Sequence, residues 1–193
     1  MGDPTTDRAK AATLPDGDVI GVLLEQHARI RELFAEVRAT TGDQKKAAFD
    51  DLRSLLAVHE TAEELVLRPV TSSVVGESVA QARNHEEAEA NEVLAQLEDL
   101  DVEDSAFDAQ LRSFEESVVA HAEAEEHEEF DQIIAGCDEG ERERLGAKIQ
   151  AAEKVAPTRP HPSVEPSSTS QRVVGPFAAI VDRVKDALTK ASS

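Results

Sequence analysis

Residues 44–69 read QKKAAFDDLRSLLAVHETAEELVLRP. Apolar side chains fall at Phe49, Leu52, Leu55, Leu56, Ala62 and Val66, the three-and-four spacing that turns one face of an α-helix toward a core. The same face carries His59 and, one turn later, Glu63. Pro69 is expected to end this helix, because the residue before a proline avoids the helical region. An imidazole and a carboxylate on an apolar seam form the unit from which the rest of the chain reads.

Toward the N-terminus, Ile20, Leu23, Leu24, Ile30, Leu33, Phe34 and Val37 mark a helix over 18–38, with His27 on its seam. Thr40-Thr41-Gly42-Asp43 supplies cap and turn residues between the two. Toward the C-terminus, 71–76 reads as a loop. A helix over 77–100 follows with a weaker stripe of Val79, Ala82, Ala88, Val93 and Leu97, placing His85 and Glu89 inward. Beyond Ser105, Phe107, Leu111, Phe114 and Val118 step toward His121 and Glu125 in a helix ending near Ala135.

Four amphipathic helices with short connections predict an all-α, up-down-up-down four-helix bundle over 17–137. Residues 1–16, polar and containing Pro4 and Pro15, read as a flexible N-terminus. Residues 138–156 read as a charged helical extension, and 157–171 as a Pro/Ser-rich linker. Residues 172–193 carry Val173, Phe177, Ile180, Val181, Val184 and Leu188 on one face. That amphipathic C-terminal helix is expected to dock on the bundle, on a second copy in a homodimer, or on a protein partner.

Composition narrows the function classes. The 193 residues are 40% hydrophobic and only 3% aromatic, which favours helices over sheet. A net charge of −20 argues against nucleic acid and against anionic membrane surfaces as partners. The single cysteine, Cys137, excludes an internal disulfide framework and is expected to be a packed or idle thiol. With no secretory h-region and no apolar run of about 20 residues, the expected location is cytoplasmic.

The polar residues on the seams carry the chemistry. Each helix turns one histidine inward (His27, His59, His85 and His121), and three add a glutamate at i+4 (Glu63, Glu89 and Glu125). Counted from the connecting loops, the four histidines fall within about one 5.4 Å turn of one level. An unpaired buried carboxylate costs several kcal/mol. Arg29, Arg53 and Arg83 read as lying off the seams, so the expected compensator is a metal ion from solution. Imidazole with carboxylate suits iron, zinc or manganese. The plain alternative is a metal-free bundle with a buried polar network.

The order His27, then His59-Glu60-Thr61-Ala62-Glu63-Glu64-Leu65-Val66-Leu67-Arg68-Pro69, then His85-Glu86-Glu87, then His121-Ala122-Glu123-Ala124-Glu125-Glu126 resembles the hemerythrin-like HHE family. HETAEELVLRP is similar to that family's H-x-x-x-E-E-x-x-L-[YF]-P, with Arg68 where an aromatic is usual. The resemblance implies two iron ions bridged by carboxylate and by an oxo or hydroxo group, with zinc or manganese as lesser candidates. It implies His27, His59, His85 and His121 as terminal ligands and Glu63 and Glu125 as bridges. Glu126 is the family-register alternative to Glu125, which is preferred because it stays on the apolar stripe. Glu60 and Glu86 are expected on the flank of the site.

Oxygen-carrying relatives place a second histidine where Glu89 stands here. The extra anionic oxygen favours ferric iron, and hence oxidation chemistry over reversible oxygen carriage. The functions implied are binding or processing of a small oxidant (a diatomic such as O₂ or NO, or peroxide), with enzymatic turnover left open. The alternative is a non-catalytic iron or redox sensor, or a metal store, with the C-terminal helix as reporter. His127 and His161 are expected outside the site.

Overall fold

The computed structural model describes residues 2–154; the expected 157–171 linker and 172–193 helix lie outside them. Every regular element among the described residues is helical. In chain order they are α1 (Pro4–Ala11), α2 (Val19–Ala39), α3 (Gly42–Ala62), a π-helical turn (Glu63–Leu67) and α4 (Arg68–Val74). Then come α5 (Glu77–Glu98), α6 (Ser105–Ala124), a second π-helical turn (Glu125–Glu129), α7 (Phe130–Gly136) and α8 (Glu139–Glu153). The long helices form a helical bundle in which α2 packs on α3 and α6, and α5 on α6 and α3. No helix among the described residues is long and apolar enough to cross a membrane.

The interior is two apolar clusters with a polar layer between them. One cluster joins Ile30, Phe34, Phe49, Leu52, Phe107 and Phe114 at the α2–α3 and α5–α6 connection end. Its rings meet edge to face, Phe49 with Phe107 at 5.0 Å and Phe34 with Phe114 at 5.8 Å, a favoured aromatic geometry. The other joins Ile20, Leu24, Leu67, Phe130, Ile133 and Ile149 at the far end. Cys137 is buried in that second cluster, a packed thiol.

Three segments differ from the sequence reading, each through local chemistry that apolar periodicity does not register. The N-terminal segment carries a helix, α1. Asp3 caps it, accepting from Thr5 N at 3.1 Å, and Pro4 sits in its first turn, where a missing N–H costs nothing. The helix docks on α2 through an ion pair of buried Asp7 with Arg31 and through Arg8 to Glu32. Pro69 does not end the second helix. The π-helical turn before it places Pro69 in the first turn of α4, so helix continues to Val74 and most of the expected 71–76 loop is helical. The charged extension is a packed element: α8 lies on α2, α3 and the first π-helical turn. Arg142 Nε donates to Asp18 Oδ2 at 2.7 Å, while Asp18 also caps α2. Gly146 permits this approach, since a Cβ there would collide with the Gly17 carbonyl oxygen.

Candidate metal centre

The polar layer draws on α2, α3, α5, α6 and both π-helical turns. His27 is 1% exposed, stacked on Phe130 with ring centres 5.8 Å apart and set edge-on to His59 at 5.1 Å. Its Nδ1 lies 2.8 Å from Glu126 Oε1, and its Nε2 lies 3.5 Å from Glu125 Oε2. His59 repeats the arrangement, with Nδ1 2.6 Å from the Gln26 side-chain oxygen and Nε2 3.4 Å from Glu63 Oε2. His121 repeats it again, with Nδ1 2.8 Å from Glu86 Oε2 and Nε2 3.5 Å from Glu125 Oε1. In each ring an outer oxygen accepts a hydrogen bond from Nδ1–H, which orients the imidazole and turns Nε2 toward the centre. Outer partners of metal-bound histidines act in this way.

Two groups of donors converge among the described residues. His27, His59, Glu63 and Glu125 form one, and Glu63, Glu87, His121 and Glu125 the other; within each, one donor atom per residue lies within 4.8 Å of all the others. Glu63 and Glu125 belong to both. Several of these atoms are buried without a hydrogen-bond partner, namely His27 Nε2, both oxygens of Glu63, Glu125 Oε2 and His121 Nε2. Buried polar atoms that crowd together without hydrogen bonds are costly in a dry interior. A cation of the imidazole–carboxylate type satisfies them together, so the donor set fits a metal.

Proton affinities in the layer diverge. Burial pulls the His27 imidazole down, but the Glu125 carboxylate 3.5 Å from its Nε2 and the hydrogen bond to Glu126 outweigh it and push it up to about 9. Burial likewise opposes His121, which Glu125 and Glu86 carry to about 10. Burial and the positive His27 beside it drive His59 well below its ordinary value. Burial and the neighbouring Glu125 push Glu63 well above the carboxylate range. Burial would raise Glu125 too, yet His121, His27 and Arg68 together hold it below the ordinary range. The two carboxylates are thus pushed in opposite directions, a separation typical of functional sites.

The structure corrects the expected site in two respects. His85 and Glu89 do not join it: their side chains are 76% and 67% exposed and pair with each other on the surface. The buried stripe of α5 is Ala80, Arg83, Glu87, Leu94 and Leu97, so Glu87 is its inward acid and His85 falls about 200° away from that residue. The sparse stripe of small residues there leaves the phase ambiguous by half a turn. Second, internal cations are present. Arg31, Arg53, Arg68 and Arg83 are all buried. Arg68 contacts Glu87 and stands 3.2 Å from Glu125 Oε1, and Arg83 Nε donates to Glu129 Oε1 at 2.9 Å. A uniform α-helical register puts Leu67 above Glu63; the wider π-helical turn puts Arg68 there instead, with its N–H bonded to the Glu63 carbonyl.

Glu126 accepts from both Arg31 and His27, which places it behind the histidine, while Glu125 faces inward. Glu60 is buried on the flank, raised to about 8 by burial and by Glu87, and Glu86 serves His121. His127 is exposed. Residues 18–133 match the family described as hemerythrin HHE cation binding domain. The chain belongs to that family. This hemerythrin-like chain is 28% identical over 138 residues to an uncharacterized hemerythrin-like protein of Schizosaccharomyces pombe, covering 70% of this chain and 68% of the yeast protein. It is 26% identical over 138 residues to a DNA nickase of Nostoc, covering 71% of this chain but only 39% of the cyanobacterial protein. No solved structure matches it with significance. The family's metal cation accords with the unpartnered donors of the polar layer.

Proposed function

We propose that this hemerythrin-like chain, an up-down-up-down four-helix bundle of the cytoplasm, holds two iron ions and binds or processes a small oxidant such as O₂, peroxide or NO. His27 and His59 would hold one ion and His121 with Glu87 the other, Glu63 and Glu125 being common to both. When bound, an iron pair supplies reversible one- and two-electron chemistry toward such an oxidant. The chain's own residues do the rest. Gln26, Glu86 and Glu126 hold the Nδ1 protons away from the centre. A cavity of about 640 Å³ between α5 and α6 reaches His121 and His59 past Val93, Phe114 and Val118, with Arg83, Glu89 and Glu92 also on its walls, an approach with room for a small ligand.

The observation that carries this reading is the set of buried, converging donor atoms without hydrogen bonds, shared through Glu63 and Glu125. Metal analysis of protein from iron-fed cells tests it, with about two irons per chain expected. Protein free of stoichiometric metal would sink it. A charge-transfer absorption that changes on adding peroxide or NO supports oxidant chemistry.

One observation favours the sensor or store reading. Glu126, the partner of His27, also pairs with Arg31, which pairs with Asp7 of α1. A change at His27 therefore has a direct route to a surface helix. An absorption indifferent to every small ligand, together with iron-dependent protection of α1 from hydrogen exchange, would select it.

A further inference from the structure

Arg68 lies where both donor groups meet but does not treat them alike. Its Nη2 contacts Glu87 Oε1, the oxygen that stands 4.0 Å from His121 Nε2. The same nitrogen is 3.2 Å from Glu125 Oε1, the oxygen that faces His121. Glu125 Oε2, the oxygen facing His27, lies beyond the hydrogen-bonding reach of Arg68 and has His27 Nε2 at 3.5 Å as its neighbour. On the His27–His59 side, neither oxygen of Glu63 is hydrogen-bonded: His59 Nε2 stands 3.4 Å and Arg68 Nη2 3.7 Å from Glu63 Oε2. The permanent charge of Arg68 therefore occupies oxygens of one half of the centre and leaves those of the other half facing only histidines, whose protons a metal can displace.

Resting on the two-ion reading above, we infer that Arg68 makes the two halves unequal. The first ion enters at His27, His59, Glu63 and Glu125, and the second enters the Glu87–His121 half only when the guanidinium gives up Glu87 and Glu125. Arg68 is a positioning residue with two consequences. It neutralises the crowded carboxylates while the second half is empty, and it opposes a second dication both by charge and by competing for the same oxygens. The equivalent position after the other π-helical turn is Phe130, fully buried, so an aromatic ring suits this offset sterically.

The test is anaerobic ferrous titration of the full, metal-free chain by calorimetry, for wild type, Arg68→Phe, Arg68→Lys and Glu87→Gln. Wild type should bind in two steps, the second weaker by about tenfold or more, as a cation a few ångströms from the incoming ion requires. Arg68→Phe should tighten the second step by about tenfold while the first moves by less than about threefold. Arg68→Lys, which keeps the charge, should keep the gap. Glu87→Gln should remove the weaker step and leave the tight one. This last variant decides the matter if Arg68→Phe does not give a folded bundle by circular dichroism. Two equal steps in wild type, an unchanged second step in Arg68→Phe, or loss of the tight step in Glu87→Gln would each overturn the inference. Absence of any ferrous binding by wild type would instead remove the two-ion reading itself, and this inference with it.

Discussion

Residues 59–69, HETAEELVLRP, and 121–131, HAEAEEHEEFD, are two uses of one device. Each runs histidine, three residues, glutamate, and then a π-helical turn that starts at that glutamate. In each, the amide five residues on, at Arg68 or Phe130, closes the turn onto the glutamate carbonyl. Such turns recur at functional sites, and here each one re-aims the helix just past a carboxylate. The two differ in the side chain that the closing residue presents. The first turn delivers a charged Arg68 against Glu87 and Glu125, and the second an apolar Phe130 against His27. The same backbone device thus crowds one half of the centre with charge and seals the other with a ring.

The strongest contrast is between the two shared carboxylates. Glu125 is ionised and faces His27, His121 and Arg68, so Glu125→Gln should destabilise the metal-free protein by about 3–5 kcal/mol, the cost of breaking a buried pair. Burial and Glu125 push Glu63 toward its neutral, protonated form, which an amide resembles, so Glu63→Gln should cost under about 1 kcal/mol. Both should abolish the full iron complement. Urea unfolding of the chelated protein beside iron analysis checks this, and equal destabilisation would break the contrast.

Phe130→Ala, which removes the apolar seal, should cost about 3–5 kcal/mol in the same assay, because the ring is fully buried. Loss confined to iron binding, with stability intact, would contradict its role in the core.

The pH dependence follows from raised histidines. His27 and His121 rise to about 9 and about 10 from an ordinary 6.5. Their stabilisation of the metal-free protein is complete below pH 6.5 and is lost as the pH climbs through the folded values. The chelated protein should therefore melt at a lower temperature at about pH 9 than at about pH 7. Iron displaces those protons, so the loaded protein should lack this loss, and iron affinity should weaken as the pH falls. Melting curves across that range, with and without iron, provide the check.

The smallest effect belongs to His85→Ala. The residue is exposed, so stability should move by less than about 0.5 kcal/mol and iron content should not change. Loss of iron would return His85 to the centre.

The long helices and the polar positions His27, His59, Glu63, His121 and Glu125 are legible in the sequence because α2, α3 and α6 bear dense apolar stripes that fix their phase. In α5 the stripe is mostly alanine, and a helix so weakly marked can be read with the wrong face inward, which puts His85 in the place of Glu87. Arg68 is hidden for another reason: a π-helical turn changes the residue count between inward positions, and apolar spacing carries no sign of that change. The helix at Pro4–Ala11 is held by a cap and ion pairs, neither of which leaves a hydrophobic period.

The polar layer between two apolar ends also fixes the height at which the helices meet. Leucine, valine and alanine ridges tolerate a slip of one helical turn, since one aliphatic layer replaces another at little cost. The imidazoles and carboxylates of α2, α3, α5 and α6 have no such substitute: a slip of about 5.4 Å would set them against grease. A layer that looks like a flaw in the interior is what gives this bundle a single vertical register.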